Sequence, residues 1–496
     1  MHPAIRVGWS SGGVMLSYRQ FFACAAFALA LAGCNLAVIP PPAVGEGEGE
    51  GEGEGEGGGG GEGEGEGEGE GEGEGEGEGE GEGEGEGVDL NVLIDRLRAS
   101  PQGAVLQISR ELGWPVRIGQ GFFFVSLRED RSFFAGDTNA FAPTLMNTER
   151  NGSTFLFAWI EVGAGDGERY KFVSAASNGS FTADPNSRSY SFDNNGEMSF
   201  TSRPGISRVD YPTQYERHLD LDLPNDDALK SRNVRILMPA STATRVLYVH
   251  DGQNVFARDS SIPDGYAIPF GGWGLDENAP ADLMIVAIDN TADRVFDYTH
   301  VPDTIDSGGA VGGGADRYAD FIQLVVRPLV DDLYGEPAVV GTMGSSLGGL
   351  VSLAIADRYP DDFDFAAGLS STFGWGSFNN VGSSDGDSTL IDRYRSADGA
   401  GVRHTVLYVD SGGDNGGGCI DADGDGINDD DGEADDNFCE TKQMFDVLIE
   451  AGYTPDNNVF YVYDAGPGGN GDAEHNELAW GFRAANNVLP LFGSLF

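Results

Sequence analysis

Ser346 stands at the centre of Gly344-Ser345-Ser346-Leu347-Gly348, a G-x-S-x-G pentapeptide set between the apolar run Ala338–Val340 and an Ala/Leu-rich stretch from Leu347 to Tyr359. A serine on such a strand-to-helix turn is lifted clear of the sheet, and side chains at the flanking glycines would collide with strand or helix. The helix start also offers free N–H groups and a positive dipole end to developing negative charge. An alcohol is a poor nucleophile at neutral pH unless a base lies beside it. Of six histidines, only His404 and His475 follow Ser346, and hydrolases built this way run in the chain order Ser, acid, His. His404 precedes the strand-like Thr405–Val409, at the wrong end for the chemistry, so His475, after Val459–Tyr463, is the expected base. The acid should follow Val409, which leaves Asp410 and Asp414. Asp414 is preferred because it lies past Gly412-Gly413, where the loop can curl toward the histidine; Asp410 abuts the strand, where it could instead fix a turn.

The elements that must position these groups alternate along residues 211–496. Val234–Met238, Arg245–Val249, Leu283–Ile288, Ala338–Val340, Phe365–Leu369, Thr405–Val409 and Val459–Tyr463 read as strands. Arg317–Tyr334, Leu347–Tyr359 and Thr441–Ala451 read as helices between them. That alternation predicts an α/β fold, a doubly wound, mostly parallel sheet covered on both faces, with reactive groups in loops at the strands' carboxyl ends. Ahead of it, residues 88–210 carry short β-rich runs broken by Gly, Asn and Asp about every ten residues, which predicts a small all-β sandwich domain.

The chain has 496 residues and a formal net charge of −52. Even without the Gly-Glu tract from Gly45 to Gly87 the remainder is strongly acidic, which argues against nucleic acid or an anionic membrane surface as a partner. The tract itself has nothing to bury and repels itself, so residues 34–87 are expected to be a disordered tether. Between β-strand and base, residues 415–440 form an acidic insertion. Asp421, Asp423 and Asp425 at alternate positions, then Gly426 and Asp429, set hard oxygen ligands around a tight turn, a pattern that suits a structural Ca²⁺. Cys419 and Cys439 bracket the run, and in an exported chain their pairing in a disulfide is expected.

Four resemblances add to this reading. FFACAAFALALAG, ending in Leu31-Ala32-Gly33-Cys34, resembles a bacterial lipoprotein signal, which implies cleavage after residue 33, lipidation of Cys34, export and an outer-membrane anchor; Met15 is a plausible start for it. FFAGDTNAF, RYKFV and TADPNSRSYSFDNNGEMSF resemble the early-set sandwich domains of glycogen-branching enzymes, some of which bind carbohydrate, with Phe141 where many have Trp. The acidic insertion resembles EF-hand-like or thrombospondin type 3 calcium repeats, although Gly432 stands where a bidentate acid is expected. Finally, VLYVHDGQNVF, IVAIDNTADRVFDYT, GGGADRYADF, RPLVDDLYG, the segment around Ser346, LYVDSGGD and AEHNELAWGFR resemble the esterase D-like branch of the α/β-hydrolases. That resemblance implies Ser346 as nucleophile, Asp414 as acid, His475 as base, and an oxyanion hole from the backbone N–H groups of Leu347 and Gln253. It departs from the family at Val325 and in the lengthened GPGGNGD loop. The expected activity is serine carboxylic-ester hydrolysis on small-molecule or glycan-linked esters, by a monomer that needs no catalytic cofactor. The alternatives are a siderophore esterase and a non-catalytic, calcium-dependent surface binding protein.

Overall fold

The computed structural model describes residues 88–204, 210–257, 272–304, 309–377, 389–396, 404–413, 418–422, 424–429, 436–464, 466 and 475–496. The signal with Cys34 and the Gly-Glu tether therefore lie outside the described residues, as do Asp414 and Asp423. Among the described residues no helix is long and apolar enough to cross a membrane.

Among the described residues, eight strands form the hydrolase part of the large sheet: β1 (Tyr215–Leu221), β2 (Arg232–Leu237), β3 (Arg245–His250), β4 (Leu283–Ile288), β5 (Val339–Ser345), β6 (Phe365–Leu369), β7 (Val406–Ser411) and β8 (Val459–Tyr463). Their order across the sheet is β8-β7-β6-β5-β3-β4-β2-β1. From β4 to β8 the pairs are parallel, while β2 lies antiparallel to β4 and β1 antiparallel to β2. A parallel strand covered on both faces must be apolar throughout, and all six residues of β4, LMIVAI, are buried. Along β3 and β4 the side chains alternate between two cores. Tyr248, Val286 and Ile288 join Leu350, Leu353 and Met444 on one face, and Leu247, Val249, Ile285 and Ala287 join Val488 and Phe492 on the other. Three helices matter for the site: α1 (Leu347–Arg358), α2 (Phe438–Glu450) and α3 (Glu477–Arg483).

The sheet does not stop where the sequence pattern changes near residue 210. Tyr215 pairs with Tyr190 and Glu216 with Ser189, so the antiparallel strands Ser189–Asp193, Gly196–Phe200, Arg169–Val173 and Phe133–Gly136 extend it, and the whole is a mixed sheet rather than a mostly parallel one. A separate four-stranded sheet includes Gly121–Ser126, every residue of which is buried. Its Phe122 and Phe124 face Phe134, Tyr170 and Phe172 of the large sheet. Phe123 and Val125 face Leu97, Val105 and Ile108 of two helices, Leu90–Ala99 and Pro101–Leu112, that the sequence reading did not anticipate. Phe141 is half-buried against Phe200 and Tyr211, with the Arg169 guanidinium 5.2 Å over its ring.

Candidate active site

At the end of β5 the backbone turns at Ser346 with φ 56° and ψ −125°, then enters α1. A positive φ is uncommon outside glycine and is held only where the surroundings enforce it. Here the Ser346 N–H donates to Leu369 O at 2.9 Å, and its carbonyl accepts from Gly349 and Leu350, both at 3.1 Å. The two glycines of the pentapeptide meet backbone to backbone: a Cβ on Gly344 would sit 2.5 Å from the carbonyl carbon of Gly348. The Ser346 hydroxyl is half-buried, 3.4 Å from the Thr372 hydroxyl.

His475 immediately precedes α3, whose N-cap Asn476 accepts from the N–H groups of Leu478 and Ala479. Its ring stands edge-on to Trp480 at 4.7 Å between centroids. Nδ1 lies 2.7 Å from Oδ1 of Asp436. The expected acid was Asp414; the carboxylate that meets the imidazole is Asp436, inside the insertion at its helix end. Asp410, the other candidate, is buried and accepts from the Tyr408 hydroxyl at 2.8 Å. The physical reason is that the insertion divides the loop between β7 and α2, and the carboxylate in contact with His475 stays with the helix end of that loop. Asp436 and Asn437 take φ 55° and 58° directly before α2. The signal in the sequence was the Asp435-Asp436-Asn437 run ahead of that helix.

Oδ2 of Asp436 accepts from Ser370 Oγ at 2.8 Å and from the Gly412 N–H at 2.6 Å. Burial works to raise this carboxyl, but its bond to His475, the Arg483 charge and Ser370 outweigh it and hold it below its ordinary value. Asn437 continues the network by donating to Ser370 O at 2.8 Å and to the Thr372 hydroxyl at 3.4 Å, the hydroxyl that Ser346 meets.

Leu347 opens α1, where N–H groups have no intrahelical acceptor. Gln253 lies in the 3₁₀ turn Gly252–Asn254 after β3. Because β3 and β5 are hydrogen-bonded neighbours, both positions lie at the same sheet edge. The turn is braced: Asp251, at φ 58°, takes Arg294 Nε at 2.7 Å and Asn290 Nδ2 at 2.5 Å, and Gln253 Oε1 accepts the Asn290 N–H at 3.1 Å.

Cys419 and Cys439 form the expected disulfide, with Cα atoms 5.2 Å apart. Within the bracketed loop, Asp421 accepts from the N–H groups of Gly424 at 2.7 Å and Gly426 at 3.1 Å, Asp425 accepts from Ile427 and Asp429 from Ala422. Gln443 of α2 clasps the turn through Asn428 N and Gly426 O. Among the described residues no cluster of three or more His, Cys, Asp or Glu is placed to hold a metal. The all-carboxylate donor chemistry of Asp421, Asp425 and Asp429 nonetheless suits a hard cation.

Solved structures with related shapes include the enterobactin esterase of Shigella flexneri, determined in the presence of enterobactin, at 13% identity over 77% of this chain and 95% of that one, TM-score 0.37. An IroE-like serine hydrolase from Shewanella oneidensis shares 20% identity over 57% of this chain and 80% of that one, TM-score 0.38. The siderophore hydrolase EstB of Aspergillus nidulans shares 20% over 53% and 95%, TM-score 0.32. No curated protein matches the chain. Residues 229–482, which contain Ser346, Asp436 and His475, match the family described as Putative esterase. That match spans just over half of the sequence, and the chain belongs to this esterase family as a serine ester hydrolase of α/β-hydrolase-like fold.

Proposed function

We propose that the chain cleaves carboxylic esters through an acyl-enzyme, with Ser346 as nucleophile, His475 as general base and acid, and Asp436 as the carboxylate that orients His475. The supporting observation is the 2.7 Å contact of His475 Nδ1 with buried Asp436, together with Ser346 on a positive-φ turn whose hydroxyl meets Thr372, a partner it shares with Asn437. An ionised Asp436 accepts a hydrogen bond from Nδ1–H, which keeps the proton on Nδ1 and leaves the Nε2 lone pair for the serine hydroxyl. As the Oγ–C bond forms, the hydroxyl proton passes to Nε2 and the carbonyl π pair moves onto oxygen. The N–H groups of Leu347 and Gln253 receive that oxyanion, a donor of this kind contributing about 3 kcal/mol. Collapse expels the alcohol, which takes its proton from Nε2, and water repeats the sequence to release the acid.

The substrate class is an exogenous or carbohydrate-linked ester, met by an enzyme moored through Cys34 and held off the lipid surface by its Gly-Glu tether. Ca²⁺ held by Asp421, Asp423, Asp425 and Asp429 would cross-link the insertion and supply no chemistry to acyl transfer. Hydrolysis of p-nitrophenyl acetate tests the core of the reading: Ser346→Ala should lower kcat by about 10⁴-fold or more, and equal rates would end it. A panel of acetyl, feruloyl and siderophore esters then sorts the substrate, a preference for the last overturning the carbohydrate assignment.

A further inference from the structure

The carboxylate behind His475 is itself backed by charge. Arg483, two turns along α3 from His475, has a side chain with no solvent exposure; its Nε lies 3.1 Å from Oδ1 of Asp410, and Nη1 and Nη2 each lie 3.3 Å from Oδ2 of Asp436. Nη2 also donates to Ser370 Oγ, the hydroxyl that bonds Asp436, and Trp480 Nε1 donates to the same oxygen at 3.1 Å. Tyr408 closes on the other oxygen of Asp410 at 2.8 Å. Two buried carboxylates thus share one buried guanidinium, and with both ionised the cluster carries a net charge of −1. An uncompensated buried charge is costly. It is compensated when His475 carries the proton taken from Ser346, because imidazolium brings the cluster to neutrality.

We propose that Arg483 and Asp410 are positioning residues for the ester hydrolysis: Arg483 fixes Asp436 against His475, and Asp410 supplies the additional buried negative charge that strengthens His475 as a base. The inference rests on the Ser346–His475–Asp436 reading. Burial pushes the Asp410 carboxyl up to about 6, against the opposing pull of Arg483 and Tyr408. Asp410 is therefore ionised at pH 7. The other groups that bear on the cluster are Tyr461 and Asp464 from β8 and its end, and Glu477 from α3; Asp251 and Arg294, paired with each other, act on Glu477.

The test is kcat/KM against pH for the full chain, with thermal unfolding recorded alongside. Asp410→Asn keeps the shape and leaves Arg483 paired with Asp436. Its acid limb should move to lower pH by about 0.5–1 unit, as expected for loss of one nearby charge. Tyr408→Phe, which makes Asp410 easier to protonate, should move the limb in the same direction by less. An Asp410→Asn variant that unfolds like wild type and keeps the wild-type limb overturns the proposal; where that variant does not fold, an unmoved limb in Tyr408→Phe overturns it. Ser346→Ala separates the two levels: an active Ser346→Ala removes the reading beneath, whereas an inactive Ser346→Ala with an unmoved Asp410→Asn limb removes only this inference.

Discussion

The two halves of the proposed catalytic network are held by different means. Around Ser346 the backbone dominates: a positive φ, a carbonyl that takes two helix N–H groups, and two glycines pressed together. Around Asp436 side chains dominate, with Ser370, Arg483 and His475 converging on one carboxylate at the mouth of an insertion tied by a disulfide. The first half is local in sequence and has little room to vary. The second is assembled from Ser370 at the end of β6, the helix end of the insertion and α3, segments far apart along the chain.

The most severe way to break the contrast is Asp436→Asn. It should lower kcat by about 10⁴-fold, because an amide cannot hold the imidazole in the tautomer that keeps Nε2 free, while Asp414→Asn should leave kcat near wild type. The reverse ranking in p-nitrophenyl acetate kinetics would return the acid to the strand end of the loop.

The same contrast explains which features are legible in the sequence. Ser346 was legible because its geometry is written in five consecutive residues, and Leu283–Ile288 and Phe365–Leu369 were legible as strands because both faces are buried and both runs are apolar. His475 followed from chain order among few histidines. The carboxylate partner of His475 was not legible, since Asp414 precedes the insertion and Asp436 lies at its helix end, and nothing local says which of them turns to the imidazole. Arg483 was invisible for a related reason: one arginine on a short helix looks like a surface charge until the helix is laid over Asp410 and Asp436. The pairing of Tyr215 with Tyr190, which carries the sheet past residue 210, depends on packing between segments whose patterns differ.

Next in size is the insertion. If its carboxylates bind Ca²⁺, the ion stabilises the folded state by mass action, about 2.7 kcal/mol at a hundredfold excess over Kd. Chelation by EDTA should lower Tm by several degrees and added Ca²⁺ restore it, whereas catalysis per folded molecule changes little. An unchanged Tm would leave the ion with no part in anchoring the loop, which the disulfide, Gln443 and the buried Ile427 already hold.

A comparable effect sharpens the backbone-held half. His250 ends β3 beneath the pentapeptide; it is fully buried, with Nδ1 2.8 Å from the Tyr318 hydroxyl and Nε2 3.0 Å from the Thr342 hydroxyl. Burial lowers its pKa from 6.5 to about 3, so the folded protein refuses a proton that the unfolded chain accepts. Stability from this group is therefore fully present above about pH 6.5 and lost as pH falls toward about 3, at roughly 1.4 kcal/mol per pH unit while the unfolded chain alone is protonated. Asp251 and Asp436, both held below their ordinary values, add acid sensitivity of the same sign at lower pH, and Asp410 opposes them. Comparing His250→Gln with wild type isolates the histidine. Denaturant unfolding should show a shallower loss of stability between about pH 6 and pH 4 in the variant, by one proton's worth of slope, and identical slopes would mean that the strand beneath the nucleophile owes nothing to a neutral His250.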